Sequence, residues 1–472
     1  MKIFKKLLAV FLASAMVCSA AALSACGNPD KEEEERNEFL NQITQQAINA
    51  VEIEAVGLTV THSGDVTGTV TTDVNAKLDF RTGNGDVLYT NKYEAATVDA
   101  TTYGYAFLRE WELLVDENEY ETEVTDYSQL NLKLIDVSDI IGDETDMDLD
   151  LSTLPVGDLL GGGMGEANRL LSTFANAAGA LTMENGAAVI DLNKAAYNFA
   201  NDVKTLVNGI TAETSIGQLL DNAILKKYAT VFTELISIDE ISLLIAQLVV
   251  YAQRFQTMTH EQIELLPEET RKIAELAQTL LKNVNIGALL NVKPDKNSST
   301  YEYIVKILKS DEFNAVIAGV IANVIAQSPD GSAQLPFPAN VKFTDISVGQ
   351  ILSLSAGDAE GVEDVLRNLR AQVEKTFESV KQNQIETFEY VFDGEAMVKL
   401  KKAISDARIT YKMDNGKITT QSFAAKITES VDEEILKETE ISVKMKYVTL
   451  VALADISNAN IIVPSLPDLA TL

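Results

Sequence analysis

The sequence predicts an α+β protein: a curved antiparallel sheet formed from N- and C-terminal strand blocks, covered by a large central helical insertion. Three observations carry this. Alternating apolar and polar residues, rich in Thr, Val and Tyr, run from Val51 to about Val137. Three-and-four spacing of apolar residues dominates from Glu166 to about Gln384, and alternation returns after it. No helical pattern of useful length interrupts either strand block, so neighbouring strands pair antiparallel, and each layer buries its apolar face on the other.

The first 25 residues read as a signal peptide. Lys2, Lys5 and Lys6 precede an apolar, Ala-rich run from Leu7 to Leu23. A cationic start followed by a short run of small and apolar residues fits an export signal better than a retained span, which needs about 20 apolar residues. The run ends in Leu23-Ser24-Ala25-Cys26, followed by Gly27. This resembles the lipobox of bacterial lipoproteins, a match confined to the leader and the first mature residues. The resemblance implies that the Cys26 thiol receives a diacylglyceryl group and that cleavage occurs before it. An ordinary secretory site with a chance cysteine is the alternative. The other cysteine, Cys18, lies in the leader, so the mature chain has no second thiol for a disulfide or a cysteine zinc site.

Without the leader's three lysines, 35 basic residues face 70 acidic ones. So acidic a surface repels nucleic acid and anionic headgroups, which excludes nucleic acid as a partner. Membrane residence then rests on acyl chains, at ~0.8 kcal/mol per buried methylene. The expected location is the cell membrane, lipid-anchored and facing away from the cytoplasm. Residues 26–50 are read as tether and N-terminal helix. Lys31–Glu35 and Glu32–Arg36 are spaced four apart, and Phe39, Leu40, Ile43, Ala47 and Ile48 continue an amphipathic pattern.

Residues 51–160 form the first strand block, with turns at Ser63-Gly64-Asp65 and Arg81–Asp86. Asp146, Asp148 and Asp150 invite a calcium loop, but Leu151 and Gly157 stand where an EF-hand requires Gly and Glu. The "GGGMG" run at 161–165 reads as a flexible joint and lacks the Lys-Ser/Thr of a phosphate loop. Residues 161–384 form the helical region, apart from a short alternating segment at "ALTMENGAAVIDL". An echo runs through it: "SIGQLL" from Ser215, "NIGALL" from Asn285 and "SVGQIL" from Ser347. Ser215 with Gln218, and Ser347 with Gln350, fit capping boxes. Strands return over 385–460, with a hairpin turn at Asp414-Asn415-Gly416, and 461–472 is a Pro-broken tail.

Chemistry is sparse. The two histidines are His62 and His260, too few for a multi-histidine metal site. "HEQIE" carries Glu264 where a zinc protease needs its second histidine, and Thr259 with Gln262 makes a capping box instead. Acidic pairs are too abundant for proximity in sequence to indicate carboxylate catalysis. Tyr103, Tyr105 and Phe107, with Trp111, read as one aromatic face of a strand, either core or the lining of a cavity. No catalytic constellation, metal site or cofactor is expected.

Strand blocks, a helical cover and the anchor together are similar in element order to lipid carriers of the LolA/LppX type, although the helical insertion is much longer here. That resemblance implies a non-enzymatic binding protein with a sheet–helix cavity for a hydrophobic or lipid-like ligand. The alternative is an envelope lipoprotein that contacts other proteins and holds no small ligand.

Overall fold

The computed structural model describes residues 29–46, 48–62, 68–95, 98–135, 156–233, 236–327, 336–338, 340–356, 358–392, 396–415, 417–431 and 434–462. The lipobox-like run Leu23–Cys26, Asp146, Asp148, Asp150 and the expected turn at Ser63-Gly64-Asp65 lie outside them. The chain divides into two compact units, residues 1–200 with 377–472 and residues 201–376.

The first unit is built on one sheet, antiparallel throughout except at one edge. Its strands are β1 (Ala50–His62), β2 (Gly68–Asp79), β3 (Asn84–Ala95), β4 (Val98–Arg109), β5 (Glu112–Asp116), β6 (Asn131–Ile135), β7 (Leu181–Glu184), β8 (Ala187–Asp191), β9 (Gln384–Phe392), β10 (Ala396–Asp414), β11 (Lys417–Val431), β12 (Glu434–Val448) and β13 (Asn460–Ile462). The order is β13-β6-β5-β4-β3-β2-β1-β12-β11-β10-β8-β7, with β9 also on β10. The two ends of the chain meet where β1 pairs β12, Val51 opposite Tyr447. The alternating segment inside the helical region becomes β7 and β8 and extends the same sheet. The expected tail starts in the sheet too: β13 pairs β6, the one parallel pairing among the described residues.

Helices α1 (Pro29–Gln45) and α2 (Val156–Ala177) lie on one face of this sheet. Phe39 and Ile43 of α1, Leu171 and Ala175 of α2, and Ile190, Ile409, Tyr411 and Ile418 from the strands form its main buried cluster. Helix α2 runs straight through Gly161–Gly165, which corrects the reading of that run as a flexible joint. Glycine costs a helix about 1 kcal/mol relative to alanine, and tertiary packing overrides such a propensity. Here the second half of α2 supplies that packing through Asn168, Leu171 and Ala175, all buried.

Polar side chains complete the backbone where the sheet is irregular. Strand β10 slips register between Ser405 and Arg408, with Asp406 at φ 52°. Asn193 spans this bulge: its amide donates to the Ile404 carbonyl (2.8 Å), and its carbonyl accepts from the Ala407 N–H (2.9 Å). Gln46 does the same at Ile418, at 2.6 and 2.7 Å. Both side chains act as short pieces of strand and satisfy groups that would otherwise be buried unpaired.

The second unit is helical: α3 (Leu192–Gly209, which it shares with the first unit), α4 (Ile216–Leu220), α5 (Ala223–Thr233), α6 (Ile238–Thr257), α7 (His260–Glu264), α8 (Glu268–Leu280), α9 (Thr300–Lys309), α10 (Asp311–Gln327), α11 (Val348–Ala356) and α12 (Ala359–Lys381, likewise shared). Val292, Tyr303 and Ile307 pack with Ile238, Ile241 and Ile245 in its interior. The capping boxes at Ser215, Thr259 and Ser347 are formed.

Two copies of the sequence echo bind each other. Ser215 and Ser347 form an antiparallel bridge, the Ile216 N–H donates to the Ile346 carbonyl (2.9 Å), and the Val348 N–H donates to the Thr214 carbonyl (2.8 Å). The glycine of each copy admits the other's backbone. A Cβ at Gly349 would lie 2.8 Å from the Ala212 carbonyl oxygen, and one at Gly217 would lie 3.0 Å from that of Thr344. The third copy differs: Ile286–Asn291 is a 3-10 turn, and Asn285 makes no side-chain cap.

Candidate functional site

A cavity of about 300 Å³ opens on the sheet of the first unit. Its floor follows from strand register. Phe107 on β4 faces Asp86 on β3, which faces Lys77 on β2, which faces Glu52 on β1. The neighbouring row runs Tyr105, Leu88, Asn75 and Glu54. Residues directly opposite across antiparallel strands share a face. The floor therefore grades from aromatic at β4 to charged at β1, over four strands.

The wall is built by two segments that cross this face. One carries Glu123 and Tyr127, and the other carries Ala454 from the stretch that follows β12. Backbone and side-chain bonds hold both down. Tyr103 and Tyr120 exchange backbone hydrogen bonds (2.7 and 3.1 Å), and the Val124 N–H donates to the Tyr105 hydroxyl. Asp126 caps the turn Tyr127–Gln129 by accepting from the Ser128 N–H (3.1 Å). On the other side, Asp86 accepts from the Ala454 N–H (2.6 Å), and Lys77 donates to the Ala452 carbonyl (3.0 Å).

The aromatic end is edge-to-face packed. The Tyr105 ring lies 5.9 Å from that of Tyr120 and 6.0 Å from that of Tyr127, and Phe107 lies 5.8 Å from Tyr127. Such pairs are favoured by the ring quadrupoles and add to their area of burial. Burial pushes the Tyr127 phenol up, and the negative charges of Asp86 and Glu123 add to it. Tyr105 is raised by burial as well, partly offset by the bond from Val124.

At the charged end, Glu54 accepts from Lys444 (2.7 Å) and Lys446 (2.9 Å) on β12. The hydrogen bond from Lys444, then that from Lys446, and their positive charges hold the Glu54 carboxyl down at about 2. A carboxylate held so low stays ionised near neutral pH and does not donate a proton. Its stabilising contribution is fully present above the ordinary value of 4.5 and is lost as pH falls through about 2. Urea midpoints measured between those limits should fall less steeply for Glu54→Gln than for the wild-type chain. Equal slopes would remove this ion triad from the acid response.

Of the aromatic residues singled out from sequence, Tyr105 and Phe107 line the cavity. Tyr103 belongs to the same cluster behind it. Trp111 is a correction: it belongs to another cluster, with Ile48, Val51, Phe80 and Met445. Strand β4 stops at Arg109, and Glu110 (φ 51°) and Trp111 (φ 72°) form the two-residue hairpin loop to β5. Such loops favour Asn-Gly or Asp-Gly, and neither is present to signal a turn. The Trp111 ring instead packs against Gly83, where a Cβ would meet it at 2.5 Å.

Sequence reasoning did not select Glu52, Lys77, Asp86, Glu123, Tyr127 or Ala454. A usable signal existed for two of them. The turn over residues 80–83 pairs Asp79 with Asn84, and counting back from it sets Lys77 against Asp86. No family profile, curated protein or solved structure matches this chain.

Proposed function

We propose that this chain is an exported, lipid-anchored binding protein that works without catalysis and holds a small amphipathic ligand in the cavity over β1–β4. The graded floor carries this reading: aromatic side chains at one end, charged ones at the other, and a wall of two segments pinned across them. A concave site where polar groups converge beside aromatic and aliphatic side chains is the usual mark of a ligand site, and about 300 Å³ sits at the small end of the range. The hollow lies beneath connecting segments rather than beneath a helix, which favours a compact ligand over a two-chain lipid. No single described helix is long and apolar enough to cross a membrane. The anchor proposed at Cys26 supplies membrane attachment instead.

Two measurements test this. The wild-type chain should take up palmitate label and sediment with membranes, whereas Cys26→Ser should lose both. Native mass spectrometry of protein extracted in an uncharged detergent should show a small molecule carried by the wild type and absent from Leu88→Trp, whose indole fills the cavity. An unlabelled, soluble wild type sinks the anchor, and a ligand-free wild type sinks the binding role.

The alternative, an envelope protein that contacts other proteins and takes no small ligand, is favoured by one observation. Helix α6 exposes Leu243, Leu244, Leu248, Val250 and Tyr251 along one side. Contiguous apolar surface of this kind marks contact sites on soluble proteins.

A further inference from the structure

We infer that the cavity over β1–β4 selects an organic cation, an ammonium group carried on an aromatic or apolar body. The inference rests on the reading of that cavity as a ligand site and adds the sign of the ligand's charge. Four carboxylates line the hollow, those of Glu52, Glu54, Asp86 and Glu123, against the single ammonium of Lys77. That ammonium donates to the Ala452 carbonyl, a bond that leaves its charge in place. Glu54 is neutralised by Lys444 and Lys446. Asp86 spends one oxygen on the Ala454 N–H, a bond that leaves its charge in place.

Counting Lys444 and Lys446, four carboxylates face three ammonium groups, so the charge at the hollow is net negative and an anionic ligand would lose its hydration there against a net repulsion. A cation meets Asp86 and Glu123 instead, with Glu52 shared with Lys446 opposite it on β12. Its apolar body lies against Leu88 and the aromatic side chains of Tyr105, Phe107 and Tyr127 that line the hollow. The chain's formal net charge of −32 draws cations toward the surface and repels anions.

Three probes of one shape and different charge test this on the full chain in an uncharged detergent: tryptamine, 3-ethylindole and indole-3-propionate. Calorimetric titration should rank tryptamine first, at least tenfold over 3-ethylindole, with indole-3-propionate weakest. Tryptamine affinity should fall with added salt, and Glu123→Gln should weaken it severalfold while leaving 3-ethylindole unchanged. Unchanged thermal unfolding of Glu123→Gln excludes misfolding as the cause. Equal binding of the three probes, or preference for the anion, overturns the charge assignment alone. Failure of all three to bind overturns the ligand site itself, and with it the binding role proposed above.

Discussion

Phe39→Ala is expected to lower the stability of the sheet-bearing unit by about 3–5 kcal/mol. Phe39 is 0% exposed, and its ring lies 5.4 Å from that of Tyr411. It reaches from α1 into a cluster drawn from α2, β7, β8, β10 and β11, so one side chain joins the first described helix to the strands of the second strand block. Helix α1 opens with Asp30, Lys31 and four successive glutamates, and a 17-residue helix of that composition is marginal by itself. Its order depends on burying Phe39 and Ile43. Truncation removes the ring's transfer energy and leaves a void that rigid strands on the far side cannot close. Chemical unfolding followed by near-ultraviolet circular dichroism measures the loss, and Phe39→Leu should recover more than half of it. A loss below about 1 kcal/mol would show that α1 does not hold the unit together.

The layers were legible in the sequence because each is written in its own period. Alternation from 51 to about 137 and again from 385 marked strands, and the three-and-four spacing between them marked helices, so one sheet built from both chain ends was derivable. Local signals failed where long-range packing decides the outcome. Gly161–Gly165 is helical because residues further along α2 are anchored beneath it, which no window around the glycines reveals. Trp111 left the aromatic row because the loop at Glu110-Trp111 uses residues that do not advertise positive φ. The candidate site was half legible. Tyr105 and Phe107 stood out as large rings at alternate positions, but Asp86, Lys77 and Glu52 become neighbours only once two registers are fixed. Glu123, Tyr127 and Ala454 arrive from segments without periodic pattern, so no local rule places them over the floor. The echoed motif shows the same limit: its capping chemistry was readable at Ser215 and Ser347, whereas the bond between the two copies was not.

Asn168→Ala should cost about 3 kcal/mol, more than the amide's own volume explains. Asn168 sits on α2 at 7% exposure, above the sheet face that carries Tyr411, Gln421 and Tyr447. Its carbonyl accepts from the Tyr411 hydroxyl (3.0 Å) and the Gln421 amide (3.2 Å), and its amide donates to the Tyr447 hydroxyl (3.0 Å). Tyr447 in turn donates to Gln421, and burial pushes the Tyr447 phenol well above its ordinary value. Each group in such a ring needs the others, because a buried polar atom left without a partner costs about 1–3 kcal/mol. Alanine strips a partner from three of them at once. Asn168→Asp separates this account from a simple packing loss. A carboxyl in that setting is pushed up by burial, so the folded chain favours its protonated form. Its stability should be highest below the ordinary aspartate value and should fall as pH rises through the raised one. Urea midpoints for Asn168→Asp should therefore fall between about pH 4 and 7, relative to the wild-type chain, while those of Asn168→Ala stay parallel to it. A pH-independent Asn168→Asp, or an alanine variant within about 1 kcal/mol of the wild type, would mean that the four side chains do not act as a closed ring.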